Sequence, residues 1–122
     1  MEAGAGRPMR LVVWLPALIV LLIGCATPTL YSWGRYEELI YVSHVAPDKM
    51  SPQTQVEKLE QDYQKARAEN KRMAPGFHAH LGYMYFQLGK LDQARQELET
   101  EKAEFPESAV FIDRLLANLK KF

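Results

Sequence analysis

Two kinds of apolar pattern divide the chain. Residues 11–23 form an uninterrupted run without a charged side chain, preceded by a weakly basic stretch that contains Arg7 and Arg10. After residue 33 the apolar positions instead recur every three or four residues, the spacing of a helix face packed on a core. No segment alternates convincingly between apolar and polar residues as a half-buried strand does. The pattern therefore predicts an all-α protein preceded by a short apolar leader.

Turn residues divide the periodic region into five predicted helices. Ser51-Pro52 is typical of a helix start, because Ser caps free N–H groups and Pro is tolerated at the first helical position. Gly89 is a helix stop, and Pro106 ends one helix and starts the next. Short connections between helices favour antiparallel helical hairpins. The predicted helices cover residues 35–44, 52–72, 76–88, 91–104 and 107–120.

The stretch 75–108 carries most of the tetratricopeptide (TPR) pattern, in which small and aromatic positions recur at fixed distances over 34 residues. Two positions depart from it, since His78 and Leu98 stand where aromatic residues are usual. A single repeat cannot bury its own faces, so we expect about one full repeat covered by flanking helices. The helices at 35–44 and 52–72 are candidates for a degenerate earlier pair. The predicted packing positions are His78, Leu81, Gly82, Tyr85, Gly89, Ala94, Leu98 and Pro106.

The leader ends in Leu22-Ile23-Gly24-Cys25. Its 13 apolar residues make a helix of about 20 Å, too short for a hydrocarbon core of about 30 Å, as in a secretory signal peptide. The last four residues resemble the bacterial lipobox, and that resemblance implies cleavage between Gly24 and Cys25 with acyl chains added to Cys25. The predicted organisation is a signal peptide (1–24), a lipidated tether (25–32) and a helical domain (33–122).

Residue 26 is Ala, not Asp. By resemblance to lipoproteins of two-membrane bacteria, the absence of Asp there implies an outer-membrane lipid anchor on the periplasmic side. The acyl chains on Cys25 would then be the membrane contact. The alternative left open is that residues 11–24 stay attached as an inner-membrane signal anchor.

A wider resemblance rests on Ser32-Trp33-Gly34-Arg35-Tyr36 and on the stretches 75–82 and 101–111. Over residues 31–117 the chain resembles a family of small proteobacterial lipoproteins of unknown function with TPR-like domains. Genes of that family often lie beside one for a lipoprotein resembling the curli secretion channel. The resemblance therefore implies a role in envelope assembly or secretion, with other envelope lipoproteins as candidate partners, and it assigns no catalytic residues.

One face of the helix at 76–88 is the candidate binding surface. We expect His78, Leu81, Gly82 and Tyr85 to face the core. On the opposite side of the helix, Tyr83 and Phe86 are three residues apart and therefore adjacent on its surface. Exposed aromatic residues are good anchors for a protein partner. The alternative is that the preceding helix covers both aromatic residues as ordinary core. The predicted partner-binding residues are Ala79, Tyr83, Phe86 and Gln87.

The helix at 107–120 carries an apolar band wider than a terminal helix needs. The band either closes the core or makes a second contact with another protein. Its residues are Phe111, Ile112, Leu115, Leu116 and Leu119.

Composition and chemistry-bearing residues point away from several functions. The formal net charge is zero, which does not favour a nucleic-acid partner. His78 and His80 are two residues apart on a helix and point about 200° apart, so they cannot share a metal. No hydrolase nucleophile or phosphate-binding loop is recognisable. We expect no cofactor and an interaction protein rather than an enzyme; the alternative is a small envelope enzyme that uses His78 or His80.

Overall fold

The computed structural model describes residues 29–121, which contain five α-helices and one pair of two-residue strands. The predicted all-α class is confirmed, whereas the strands were not predicted. Gly24 and Cys25 lie outside the described residues, as do the rest of the predicted signal peptide and residues 26–28 of the predicted tether. In chain order the elements are β1 (Tyr31–Ser32), α1 (Tyr36–Val45), α2 (Pro52–Ala68), β2 (Arg72–Met73), α3 (Phe77–Gln87), α4 (Leu91–Glu104) and α5 (Ala109–Leu119).

Helix α2 begins as predicted but ends early. The Ser51 hydroxyl accepts a hydrogen bond from the Thr54 N–H at 3.2 Å, and Pro52 occupies the first helical position. The predicted end at residue 72 is wrong, because Asn70 adopts a left-handed conformation with φ 54°. The Lys71 N–H then donates back to the Ala66 carbonyl, which closes the helix and releases the chain into β2.

Helix α3 ends in the same kind of cap, at the glycine that the sequence indicated. Gly89 has φ 71°, and the Lys90 N–H donates to the Tyr85 carbonyl at 2.9 Å. The three-residue connection that follows brings α4 back along α3 as a packed helix pair. Helix α4 has the predicted bounds. Helix α5 starts two residues later than predicted, after a short 3-10 helix at Pro106–Ser108.

The two strands attach the start of the domain to the connection between α2 and α3. They pair in parallel, with Tyr31 opposite Arg72 and Ser32 opposite Met73. The Ala74 N–H extends the pairing by donating to the Ser32 carbonyl at 3.0 Å. Residues 31 and 32, assigned to the tether from sequence, are therefore part of the folded domain. Strands of two residues are too short to produce a visible alternation of polar and apolar positions.

Arg35 and Asp62 make a second attachment between the start of the domain and α2. The Arg35 backbone N–H and its guanidinium both donate to the Asp62 carboxylate, at 2.8 to 3.2 Å, and Arg35 Nη2 also donates to the Lys58 carbonyl. Gly34 (φ 51°) allows this close approach, because a Cβ there would lie 2.7 Å from an Asp62 oxygen. Such multidentate charged hydrogen bonds fix geometry as well as adding stability.

The core runs through all five helices and centres on the pair α3–α4. Gly82 of α3 faces α4 closely: a Cβ at this position would lie 3.0 Å from the Ala94 carbonyl oxygen. None of the helices within residues 29–121 has both the length and the apolar character needed to cross a membrane. The largest fully buried side chains are Leu39, Leu59, Met73, Phe77, His78, Leu81, Met84 and Ile112.

Candidate functional site

The side of α3 that faces away from α4 is only partly covered. Tyr83 is 51% exposed and Gln87 is exposed, while Ala79 and Phe86 are half-buried and pack against the core. This face therefore leaves Tyr83 and Gln87 exposed, whereas Phe86 is partly packed against the core. Tyr83 lies between two cavities, one towards α5 and the other towards α1 and α2.

The cavity towards α5 is an apolar groove of about 170 Å³. Gly82 and Leu98 lie at the α3–α4 crossing, Tyr83 and Phe86 line the α3 side, and the α5 side carries the remaining lining residues. Gly82 lets α3 and α4 approach closely here, because a Cβ at this position would meet Ala94 and Leu98 of α4. The α5 lining residues are Leu115, Asn118 and Leu119.

The apolar band of α5 divides between core and surface. Ile112 and Leu119 are buried, Leu115 and Leu116 are half-buried, and Phe111 is 58% exposed. Phe111 lies one helical turn before Leu115, on the same face of α5. The apolar surface of the groove therefore extends beyond its lining residues along α5.

The second cavity, of about 290 Å³, is more polar. The buried side chain of Gln55 lines this cavity and is hydrogen-bonded to several neighbours. The Gln55 side-chain oxygen lies 2.9 Å from the Ser43 hydroxyl and 3.3 Å from His80 Nε2. Its amide nitrogen donates to the Met50 carbonyl at 3.3 Å. Since the Gln55 oxygen accepts, His80 is assigned the tautomer with the proton on Nε2.

His80 is neutral at ordinary pH. Burial, followed by the neighbouring His44, lowers the pKa of His80 from 6.5 to about 4. Its ring also packs 5.9 Å from that of Tyr36. The structure places His80 half-buried between α1, α2 and α3.

His78 is a packed residue of the core. It is 1% exposed, its Nδ1 lies 2.6 Å from the Glu97 carboxylate of α4, and its ring meets that of Tyr63 edge-on at 5.2 Å. Tyr85, on the same side of α3, donates a hydrogen bond from its hydroxyl to the Glu60 carboxylate of α2. Burial and this hydrogen bond raise the pKa of Tyr85. These contacts join α3 to both of its neighbours.

Glu101 of α4 caps the start of α3, a role that the sequence analysis missed. It is 2% exposed, and its carboxylate accepts from the Gly76 N–H at 2.7 Å and the Ala79 N–H at 3.3 Å. Burial and the charge of Glu101 raise the pKa of Tyr36 to about 12. The spacing of Ala94, Leu98 and Glu101 could have revealed the position, because it places all three on one helix face.

Residues 30–115 match a domain of unknown function, DUF4810. The chain belongs to the DUF4810 family. No curated protein and no solved structure matches it.

The DUF4810 match spans most of the described structure, from the start of β1 into α5. It includes the whole exposed face of α3 and most of the apolar groove; Asn118 and Leu119 lie beyond its end. Cys25 lies five residues before its start.

The DUF4810 domain brings most of the predicted repeat-packing residues together between α3 and α4. His78, Leu81, Gly82, Tyr85, Ala94 and Leu98 are all buried, whereas Gly89 and Pro106 are exposed at the turns. Among residues 29–121 no group of three or more His, Cys, Asp or Glu side chains is placed to hold a metal ion.

Proposed function

We propose that this DUF4810 protein is a lipid-anchored, TPR-like adaptor that holds a partner protein at the periplasmic side of the outer membrane. The observation that carries the proposal is the exposed Tyr83, set beside an apolar groove on a helix whose other side is fully packed. An exposed tyrosine beside a pocket is typical of a residue that dominates binding energy, since it buries a large area at a low cost in side-chain entropy.

The anchoring half of the proposal rests on the lipobox-like Leu22-Ile23-Gly24-Cys25. Acyl chains on Cys25 would confine the domain to a membrane surface and raise its effective concentration near other membrane-bound proteins. A weak contact through the α3 face would then suffice for a stable complex. Envelope lipoproteins involved in secretion or surface structures are the proposed partners.

Intact-mass analysis of the membrane-extracted protein tests the anchor. We expect a mature species that begins at Cys25 and carries the added mass of acyl chains. A Cys25→Ser variant should fail to acquire that mass. An unmodified species that begins at Met1 would refute the lipid anchor and favour the retained signal anchor.

Substitution of Tyr83 tests the partner-binding half. We expect Tyr83→Ala to lower at least tenfold the amount of partner that co-purifies from crosslinked native membranes, because truncating a central aromatic anchor removes about 2 kcal/mol or more of binding. Tyr41→Ala is the matched control, since Tyr41 of α1 is also an exposed tyrosine, at 65%. Equal partner recovery with both variants, or no partner with any of them, would contradict the proposal.

A further inference from the structure

The start of the domain exposes two large apolar side chains close together in sequence. Leu30 is 77% exposed and Trp33 is 43% exposed. Trp33 stacks on Tyr36 with ring centroids 6.4 Å apart, so its ring is held in place while much of it stays in water. We call the surface formed by Leu30, Trp33, Lys65 and Lys71 the N-terminal face.

The other residues around Trp33 have structural contacts that account for them. Ser32 pairs with β2, Gly34 allows the approach of Asp62, and Arg35 binds that carboxylate. Packing against the domain does not explain why so much of the Trp33 ring is exposed. An amphipathic ring exposed at the edge of a domain is typical of a residue at a membrane interface.

Positively charged side chains lie beside Trp33. Residues 64–73 contain two lysines and two arginines and one acidic residue, Glu69, which pairs with Lys71 at 3.0 Å. Of these cations, Arg72 donates to the Glu104 carbonyl and packs over the Phe105 ring. One depression on the surface is lined by Trp33 together with three cationic side chains, Arg35, Lys65 and Lys71, and two acidic ones, Asp62 and Glu69. Arg35 pairs with Asp62 and Lys71 with Glu69, so this depression carries a local excess of one positive charge.

The N-terminal face also contains the end of the domain that follows Cys25 in the sequence. Leu30 follows Cys25 by five positions, which limits the distance between their Cα atoms to about 18 Å even in a fully extended chain. The strand pair and the Arg35–Asp62 contact fix the domain where this segment enters it. A lipid attached to Cys25 therefore keeps this face close to the headgroups.

We propose that the N-terminal face binds the lipid surface itself, with Leu30 and Trp33 in the interfacial region and Lys65 and Lys71 against anionic headgroups. The inference rests on the proposed lipid anchor and adds to it a defined orientation. Cations near an anionic leaflet and apolar side chains in the interface both favour binding, and together they restrict the rotation of the domain about its tether.

The fluorescence of Trp33 tests the inference directly. The chain has two tryptophans, Trp14 and Trp33, so the mature form retains only Trp33. The mature lipoprotein is reconstituted into vesicles of phosphatidylcholine and phosphatidylglycerol. We expect a blue-shifted emission, and quenching by lipids brominated near the headgroup.

The matched control combines Trp33→Phe with Gln93→Trp. Gln93 is exposed at the start of α4, the opposite end of the α3–α4 pair from β1, and its tryptophan should escape the lipid quencher.

Flotation of the same vesicles separates the two proposals. Protein that floats and shows lipid quenching of Trp33 supports the orientation. Protein that floats while Trp33 is quenched no more than the Gln93→Trp control overturns the orientation but leaves the anchor intact. Protein that does not float overturns the anchor, and the inference with it.

The charge contribution is measured on the mature chain with Cys25→Ser, which lacks the acyl chains. We expect this chain to bind vesicles rich in phosphatidylglycerol. Lys65→Gln and Lys71→Gln together should weaken that binding about tenfold or more. The control pair is Lys120→Gln and Lys121→Gln, which removes the same charge from two exposed residues near the C-terminus. Equal loss with both pairs would show that net charge, and not this face, determines binding.

Discussion

The stability of this domain depends on pH through individual polar side chains packed between its helices. His80 shows this best, because the folded protein keeps its imidazole neutral between α1, α2 and α3 while the unfolded chain leaves it in water. Burial and His44 lower its pKa to about 4 in the folded state. Between pH 6.5 and 4 the unfolded chain therefore binds a proton that the folded protein does not, and protonation favours unfolding.

We expect His80 to destabilise the domain progressively as the pH falls from 6.5 to 4 and to have no such effect above pH 6.5. Each pKa unit corresponds to about 1.4 kcal/mol, and partial exposure reduces the total to about 1–2 kcal/mol. Urea denaturation at several pH values should show a shallower loss of stability for His80→Gln than for the unmodified chain. Gln93→His, an exposed imidazole, should leave the profile unchanged. Parallel profiles for His80→Gln and the unmodified chain would contradict this assignment.

At the scale of elements, the α3–α4 pair depends on a close crossing at Gly82. A Cβ at Gly82 would lie 3.0 Å from the Ala94 carbonyl oxygen and 3.2 Å from Leu98 Cγ. Both distances are shorter than ordinary van der Waals contact, and the first involves backbone that cannot move by a rotamer change. The small residues of the repeat pattern therefore have a geometric cause in this pair.

Gly82→Ala should lower the free energy of unfolding by about 1–3 kcal/mol, because the added methyl group forces the helices apart. Urea titration followed by circular dichroism measures the change. Gly89→Asn is the control: the position has open space around it, and Asn tolerates its left-handed conformation better than other side chains. A Gly82→Ala variant as stable as the unmodified chain would show that the helices can separate without cost.

The helices could be predicted from the sequence because their signals are local. Ser51-Pro52 and Gly89 mark ends that the structure reproduces, and the apolar spacing of α3 identified most of its buried side. The end of α2 could not be predicted, since Asn70 adopts its left-handed conformation to lead the chain into β2. Contacts between distant segments, such as Arg35 with Asp62, leave no periodic signal in either segment.

The candidate site was predictable in part for the same reason. Which residues of α3 face away from α4 follows from helical geometry, so Tyr83 was found. Its surroundings depend on how α1, α2 and α5 pack, and the polar cavity around Gln55 has no counterpart in the sequence pattern. The N-terminal face likewise depends on the strand pairing, which brings together residues that are 41 positions apart in the sequence.

The carboxylate of Glu101 links two helices that are often regarded as separate units. The first turn of α3 has no capping side chain of its own at Gly76, and it takes its acceptor from near the end of α4. The two helices therefore gain their full stability together, and fraying of either one weakens the other. A partner bound to the exposed face of α3 would therefore meet a surface that keeps its shape until both helices of the hairpin open together.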